Sequence, residues 1–135
     1  MKMKIATLLL VSATVWTAAP VVAHHSFAAE FDVNRPIEFE GVVTKIEWMN
    51  PHTFFYVDVE LEDGSYENWA LEMGSPNGLA RRGWSRNSLQ IGDEVSVVGT
   101  RAKDGSTKGN VRSVVLSTGE RLFAGSSQTD AEDAN

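Results

Sequence analysis

The stretch from Gly41 to Leu61 constrains the fold of this chain more than any other part of the sequence. Two runs rich in β-branched and aromatic residues meet there at Asn50-Pro51. A proline fixes its own φ and moves the preceding residue out of the helical region. We therefore predict a turn between two strands at Asn50-Pro51, with His52 directly after it.

The residues on either side of this corner alternate as strands do. The second strand presents Phe55, Val57, Val59 and Leu61 on one face, and Phe54, Tyr56, Asp58 and Glu60 on the other. The first strand is less regular, because its apolar positions are Ile37 and Phe39 before Gly41 but Ile46 and Trp48 after it. A slip of one residue indicates a β-bulge at or beside Gly41.

The rest of the chain predicts four further strands and one helix. Asp63-Gly64 predicts a hairpin turn into a third strand with Trp69, Leu71 and Met73 facing inward. Ser75-Pro76 predicts the start of a short helix over residues 77–84, and strands four, five and six follow at 94–101, 110–116 and up to Phe123. The predicted fold is all-β, an OB-fold-like Greek-key barrel of five to six strands with one short helix between strands three and four. An SH3-like barrel or an open sandwich of the same strands is the alternative.

The amino terminus is typical of a secretory signal peptide. Lys2 and Lys4 precede an apolar run that is too short to span a bilayer, and Val21-x-Ala23 stands before a polar sequence. Four segments follow from this: a signal peptide over residues 1–23, an N-terminal arm over 24–35, the barrel over 36–123, and a disordered acidic tail over 124–135. We expect a periplasmic or secreted protein with no membrane span after cleavage.

The composition excludes several kinds of site. Loss of Lys2 and Lys4 with the signal takes the net charge from −6 to −8, which argues against a nucleic-acid groove. Because the chain has no cysteine, a metal site must use histidine, methionine, carboxylate or the amino terminus. No nucleophile elbow, phosphate-binding glycine loop or marked acid–base pair is present, so we expect no enzymatic activity.

Two motifs resemble a known family. His24-His25-Ser26-Phe27 and Trp48-Met49-Asn50-Pro51-His52, together with the later Gly92-Asp93-Glu94-Val95, are similar to the exported bacterial domain-of-unknown-function family numbered 6152. The resemblance covers nearly the whole mature chain. It implies a small exported domain and carries no activity.

All three histidines lie in these two motifs, which makes copper the leading candidate ligand. Cleavage after Ala23 makes His24 the amino-terminal residue, whose α-amine and imidazole can chelate one ion. A further imidazole from His52, with His25 in support, gives a T-shaped nitrogen set similar to a histidine brace. The competing interpretation is structural, with His24 and His25 as a polar start to the arm and His52 bonded at the turn.

Other binding interpretations remain open. A softer copper site could use Met49, His52 and Met73 beside Trp48. A module for a small ligand or protein partner could instead use an aromatic barrel face, and its candidate residues are Trp48, Met49, Phe54, Tyr56, Tyr66 and Met73. Arg81, Arg82 and Arg86 form a basic cluster that could meet an anionic partner. The sequence does not indicate an oligomeric state.

Overall fold

The computed structural model describes residues 27–125 of the chain. Residues 27–30 are helical, and six strands follow: β1 (Phe31–Glu47), β2 (Phe54–Glu60), β3 (Tyr66–Glu72), β4 (Glu94–Ala102), β5 (Lys108–Val115) and β6 (Arg121–Phe123). One short helix, α1 (Pro76–Ala80), lies between β3 and β4. The all-β class and the place of the helix are as predicted.

The strands form a closed ring. β1, β2 and β3 make an antiparallel meander, β1 also pairs with β4, and β4 pairs with β5. β5 then returns to β3 in parallel, with Leu71 opposite Gly109. Within this ring the neighbours follow the order β3-β2-β1-β4-β5, which is that of an OB-type Greek-key barrel. β6 extends the sheet beyond β5.

β1 is long because it belongs to both halves of the ring. Its middle residues pair with β4 and its last residues, from Val42 onward, pair with β2. The register with β2 slips between Val43 and Lys45, which leaves Thr44 as the extra residue. The predicted bulge therefore exists, but its predicted position at or beside Gly41 was wrong. Because residues 42 and 43 are both valine, the sequence does not show at which residue the alternation changes.

Gly41 has a different role, which concerns the distance between β1 and β2. A Cβ atom at this position would lie 2.9 Å from the backbone oxygen of Asp58 and 3.1 Å from Cβ of Val57. The two strands thus approach each other more closely than a side chain would permit. The glycine marks a close crossing of strands rather than the bulge itself.

The barrel interior is one apolar cluster. Trp69, Leu71 and Met73 face inward as predicted, and Met73 is 1% exposed. They pack with side chains from every strand of the ring and from the helical segment, including Val43, Phe55, Val57, Leu79, Trp84, Leu89, Val97, Val111 and Val114. Burial of this apolar area is the main stabilising contribution to a cysteine-free domain of this size.

α1 is shorter than the predicted helix over residues 77–84. Ser75 caps its start by accepting a hydrogen bond from the Gly78 N–H, as the Ser-Pro pair predicts. The helix ends early because Gly83 adopts a left-handed conformation, with φ of 94°. Gly83 and Trp84 donate their N–H groups back to Ala80 and Leu79, which is the Schellman pattern of helix termination.

The corner between β1 and β2 lies against the end of β3. The Asn50-Pro51 peptide bond is cis. Directly after it, the Thr53 N–H donates to the Gly74 oxygen at 3.0 Å, and Met73 donates to the Thr53 oxygen at 2.8 Å. These two bonds hold His52 beside the last residues of β3.

The ordered barrel is longer at both ends than the predicted span of 36–123. β1 begins at Phe31 inside the predicted arm, where Phe31 is 2% exposed and its ring centre lies 5.4 Å from that of Phe27. At the other end Ala124 is fully buried and donates to the Arg112 oxygen, so the predicted tail starts too early. The predicted signal peptide and the tail from residue 126 onward lie outside the described residues. Within residues 27–125, none of the helices has the length and apolar character that a membrane crossing requires.

Candidate functional site

His52 lies at the cis-proline corner and contacts a carboxylate of β3. Its Nδ1 atom is 2.7 Å from Oε1 of Glu72. The His52 side chain is 42% exposed, whereas that of Glu72 is 9% exposed. A ring nitrogen this close to a carboxylate oxygen holds its proton, so the other nitrogen, Nε2, is the one available as a lone-pair donor.

Glu72 is the buried member of this pair. Burial raises the pKa of its carboxyl group above the ordinary value, although His52 and Lys108 act in the opposite direction. Strand alternation correctly places Glu72 on the face opposite Leu71 and Met73, but that face is covered at this end of the barrel. Glu72 is therefore a site residue that was not among the residues predicted for the site.

The sequence does contain a signal that could have found Glu72. The β2–β3 hairpin turns at Asp63-Gly64, and pairing residues outward from that turn places Phe54 opposite Glu72. Phe54 is two residues after His52, so the hairpin register alone predicts a carboxylate beside the histidine.

Lys108 connects this pair to the N-terminal arm. Its Nζ atom is 3.8 Å from Oε2 of Glu72 and also forms an ion pair with Glu30 of the arm. The same Nζ atom lies 5.6 Å from the ring centres of both Phe31 and Phe54. The arm and the corner therefore meet at one lysine, which the sequence analysis left outside strand five.

The predicted copper ligands are only partly within the described residues. His52 is described, whereas His24 and His25 lie outside residues 27–125. Among the residues that the structure does describe, no three histidine or carboxylate side chains converge as a metal site. The described part of the chain thus supplies one oriented imidazole, next to an arm whose earlier residues carry the other two histidines.

The residues of the predicted soft copper site differ in burial. Met73 is buried in the core, and Trp48 is half-buried against the same cluster. Met49 is 53% exposed, on the loop before the corner. Met73 thus occupies the core position that its inward direction in β3 predicts.

The predicted aromatic face is divided among three places. Phe54 contacts Lys108 at the His52 corner, and the Tyr56 hydroxyl donates to Glu47 at 2.9 Å. This hydrogen bond raises the pKa of Tyr56. The pKa of the Glu47 carboxyl is lowered by Lys45, whose Nζ atom lies 2.5 Å from Oε1 of Glu47, and by the same hydrogen bond from Tyr56. Tyr66 is 63% exposed at the opposite end of the hairpin.

Two concave regions lie at the two ends of this hairpin. The first, which we call the corner cavity, has a volume of about 250 Å³, and its lining residues are Pro51, His52, Gly74, Ser75, Gly78, Arg81, Arg82 and Gly125. The second, which we call the acidic groove, has a volume of about 710 Å³. Four carboxylates line it, from Glu40, Asp58, Glu60 and Glu94, together with Tyr66.

Comparison with known proteins identifies the family. The sequence matches the model of a family described as a family of unknown function (DUF6152) over residues 11–112, which is most of the chain. The chain therefore belongs to this family, as the two histidine motifs predict. A search of curated proteins found no match to this sequence. Because the family description names no activity, the function has to be inferred from the site.

Proposed function

For this member of the DUF6152 family, we propose a role as an exported, non-enzymatic binding protein that holds one copper ion between its mature amino terminus and the Asn50-Pro51-His52 corner. His24 would supply its α-amine and imidazole, His52 a second imidazole, and His25 support from the arm. The observation that carries this proposal is the close contact between His52 Nδ1 and Oε1 of Glu72.

This contact favours metal binding because it orients the imidazole and leaves Nε2 free. Histidines that bind metals usually direct their second ring nitrogen at a carboxylate, which sets the tautomer and makes the free nitrogen more basic. Glu72 is held in place by burial and by Lys108, so it can orient the ring without moving. A histidine that served only the turn would not need a buried carboxylate behind it.

The N-terminal arm supports the same proposal because it is held close to His52 and Glu72. Glu30 is paired with Lys108, and Lys108 is paired with Glu72, so the arm is fastened one side chain away from the histidine pair. His24 precedes Phe27 by three residues, a reach on the order of 10 Å at about 3.3 Å per residue. Free imidazole and α-amine groups titrate near about 6.5 and about 8, so both can bind Cu(II) around neutral pH.

The test is a Cu(II) titration of protein whose amino terminus is confirmed by mass spectrometry to be His24. We expect one ion per chain, with several nitrogen ligands in the electron paramagnetic resonance spectrum. His52→Ala should weaken binding about 100-fold, and one extra residue before His24 should weaken it to a similar degree, because each change removes a nitrogen ligand. Glu72→Gln should weaken it about 10-fold by releasing the imidazole from its orienting partner.

Two controls make the result specific. Met49→Leu alters an exposed side chain of the same corner, and Glu60→Gln removes an exposed carboxylate at the far end of the hairpin. Both should bind copper as the unchanged protein does. Binding that is indifferent to His52→Ala and to the terminal extension would overturn the proposal and leave the histidines with a structural role.

A further inference from the structure

The corner cavity differs from the rest of the surface in its charge. The chain has a net charge of −6, yet two of the residues that line this cavity are arginines and another is His52. Of the described residues that line it, none carries a carboxylate. Low-dielectric walls that carry charge of one sign concentrate the field, so this cavity attracts anions although the protein as a whole repels them.

The two arginines have different roles in the cavity. Arg82 is engaged by the protein itself, since its Nη1 atom donates to the Gly125 oxygen at 2.8 Å. It holds the C-terminal end of the barrel against α1 and so forms a wall. Arg81 is exposed, and its guanidinium makes no hydrogen bond or ion pair with any other residue of the range 27–125. Arg81 therefore brings an unused set of donors to the cavity.

The remaining lining is small and leaves room for a ligand. Gly74, Gly78 and Gly125 present backbone instead of side chains, and Ser75 supplies a hydroxyl that already accepts the Gly78 N–H at 3.2 Å. A volume of about 250 Å³ suits a small organic acid or a phosphate with some bound water. A guanidinium recognises such groups by paired hydrogen bonds to two oxygens.

We infer that the corner cavity is a binding site for a small oxyanion, a carboxylate or a phosphate, with Arg81 as the residue that contacts it. This site goes beyond the proposed copper site, since it needs neither the metal nor the amino-terminal histidines. It shares only His52 with that site, as one of its walls.

The test uses metal-free protein, inorganic phosphate and succinate in separate titrations at constant ionic strength, followed through the amide resonances of Gly74, Gly78 and Gly125. We expect saturable shifts of these three amides with one anion per chain. Arg81→Gln should weaken binding at least about 10-fold, as loss of a charge-assisted paired contact does. Whichever of the two anions binds more tightly identifies the class of ligand.

Arg86→Gln is the matched control, because Arg86 is an exposed arginine of the same segment that does not line the cavity. It should change the affinity less than twofold. Thermal unfolding of both variants should match that of the unchanged protein, since the Arg81 guanidinium makes no hydrogen bond or ion pair with other residues of the range 27–125 and its backbone contacts are kept. Shifts that do not saturate, equal weakening by both substitutions, or no weakening by Arg81→Gln would each overturn the inference, whatever the outcome of the copper titration.

Discussion

The two ends of the β2–β3 hairpin carry charge in opposite ways. At the corner end one carboxylate, Glu72, is buried and has a histidine and a lysine within 3.8 Å. At the other end four carboxylates line the acidic groove, and no lysine or arginine is among its described lining residues. The corner end thus surrounds one buried carboxylate with cationic partners, whereas the groove end brings four carboxylates together with no lysine or arginine among its described lining residues.

This difference shows that burial and pairing, rather than the number of charges, indicate where a specific site lies. Solvated carboxylates cost little and contribute mainly to solubility and long-range repulsion. A carboxylate that is removed from water must be compensated by partners, and it keeps those partners in place. The burial of Glu72 therefore holds His52 and Lys108 in defined positions. The following substitutions should affect the two ends of the hairpin very differently.

The largest effect should come from Lys108→Met. The methionine keeps the apolar stem but removes the charge that lies next to Glu72, Glu30 and two aromatic rings. We expect the free energy of unfolding to fall by about 2 kcal/mol, because one buried carboxylate loses a cation and the arm loses the ion pair of Glu30. Urea unfolding monitored by tryptophan fluorescence would measure this.

Lys45→Met is the matched control for that change. Lys45 also pairs with a carboxylate, Glu47, and lies 5.0 Å from the ring centre of Tyr56, but its side chain is 58% exposed. Exposed pairs of this kind contribute little to stability, so the loss should be much smaller than that for Lys108→Met. Equal losses for both lysines would mean that burial does not distinguish the corner from an ordinary surface pair.

Much of the fold could be predicted from local sequence, and so could the nearness of Glu72 to His52, but the burial of Glu72 and its pairing with Lys108 could not. The corner at Asn50-Pro51, the cap at Ser75 and the alternation of β2 and β3 depend on residues close in sequence, and each is observed. Lys108 lies outside the predicted fifth strand, which covers residues 110–116. It belongs to β5 because it pairs in parallel with Ala70, a contact between distant segments that no local pattern contains.

The same distinction explains why Glu72 was missed. Its direction in β3 follows from alternation, but its burial follows from the arm and from β5, which reach that face from distant parts of the chain. A polar residue at an outward strand position is ordinarily solvated. The charge partners of a site are the features that the tertiary arrangement determines, and they are the least visible in a single sequence.

The second effect, of intermediate size, concerns the pH dependence of stability and uses Glu72→Gln. Burial raises the folded pKa of Glu72 above its unfolded value, so its contribution to stability is fully present below the unfolded pKa and is lost as pH rises through the folded pKa. Relative to the glutamine variant, the unchanged protein should therefore lose stability as pH increases above about 4.5.

Subtracting the free energy of unfolding of the glutamine variant from that of the unchanged protein, at each pH, isolates the contribution of the Glu72 carboxylate. The groups with lowered pKa, among them Glu47 and Asp63, act in the opposite direction but are present in both proteins and cancel. Repeating the comparison with His52→Asn in both proteins removes the titration of the partner imidazole. A difference that stays constant with pH, or that grows in favour of the unchanged protein, would contradict a raised pKa at Glu72.

The smallest effect should appear at the acidic groove, on replacing Glu94 by glutamine. Glu94 is exposed and forms no ion pair with other residues of the range 27–125, while Glu40, Asp58 and Glu60 line the same groove. Removing one of four like charges should raise the free energy of unfolding by about 0.3 kcal/mol at low ionic strength. The gain should disappear at 1 M salt, where the screening length is about 3 Å.

Glu62→Gln is the control for this change, because Glu62 is exposed in the adjacent turn and does not line the groove. It should give a smaller gain in the free energy of unfolding. A loss of stability that salt does not alter would instead mean that Glu94 has a specific role in the fold, and the groove would then be organised by its charges as the corner is.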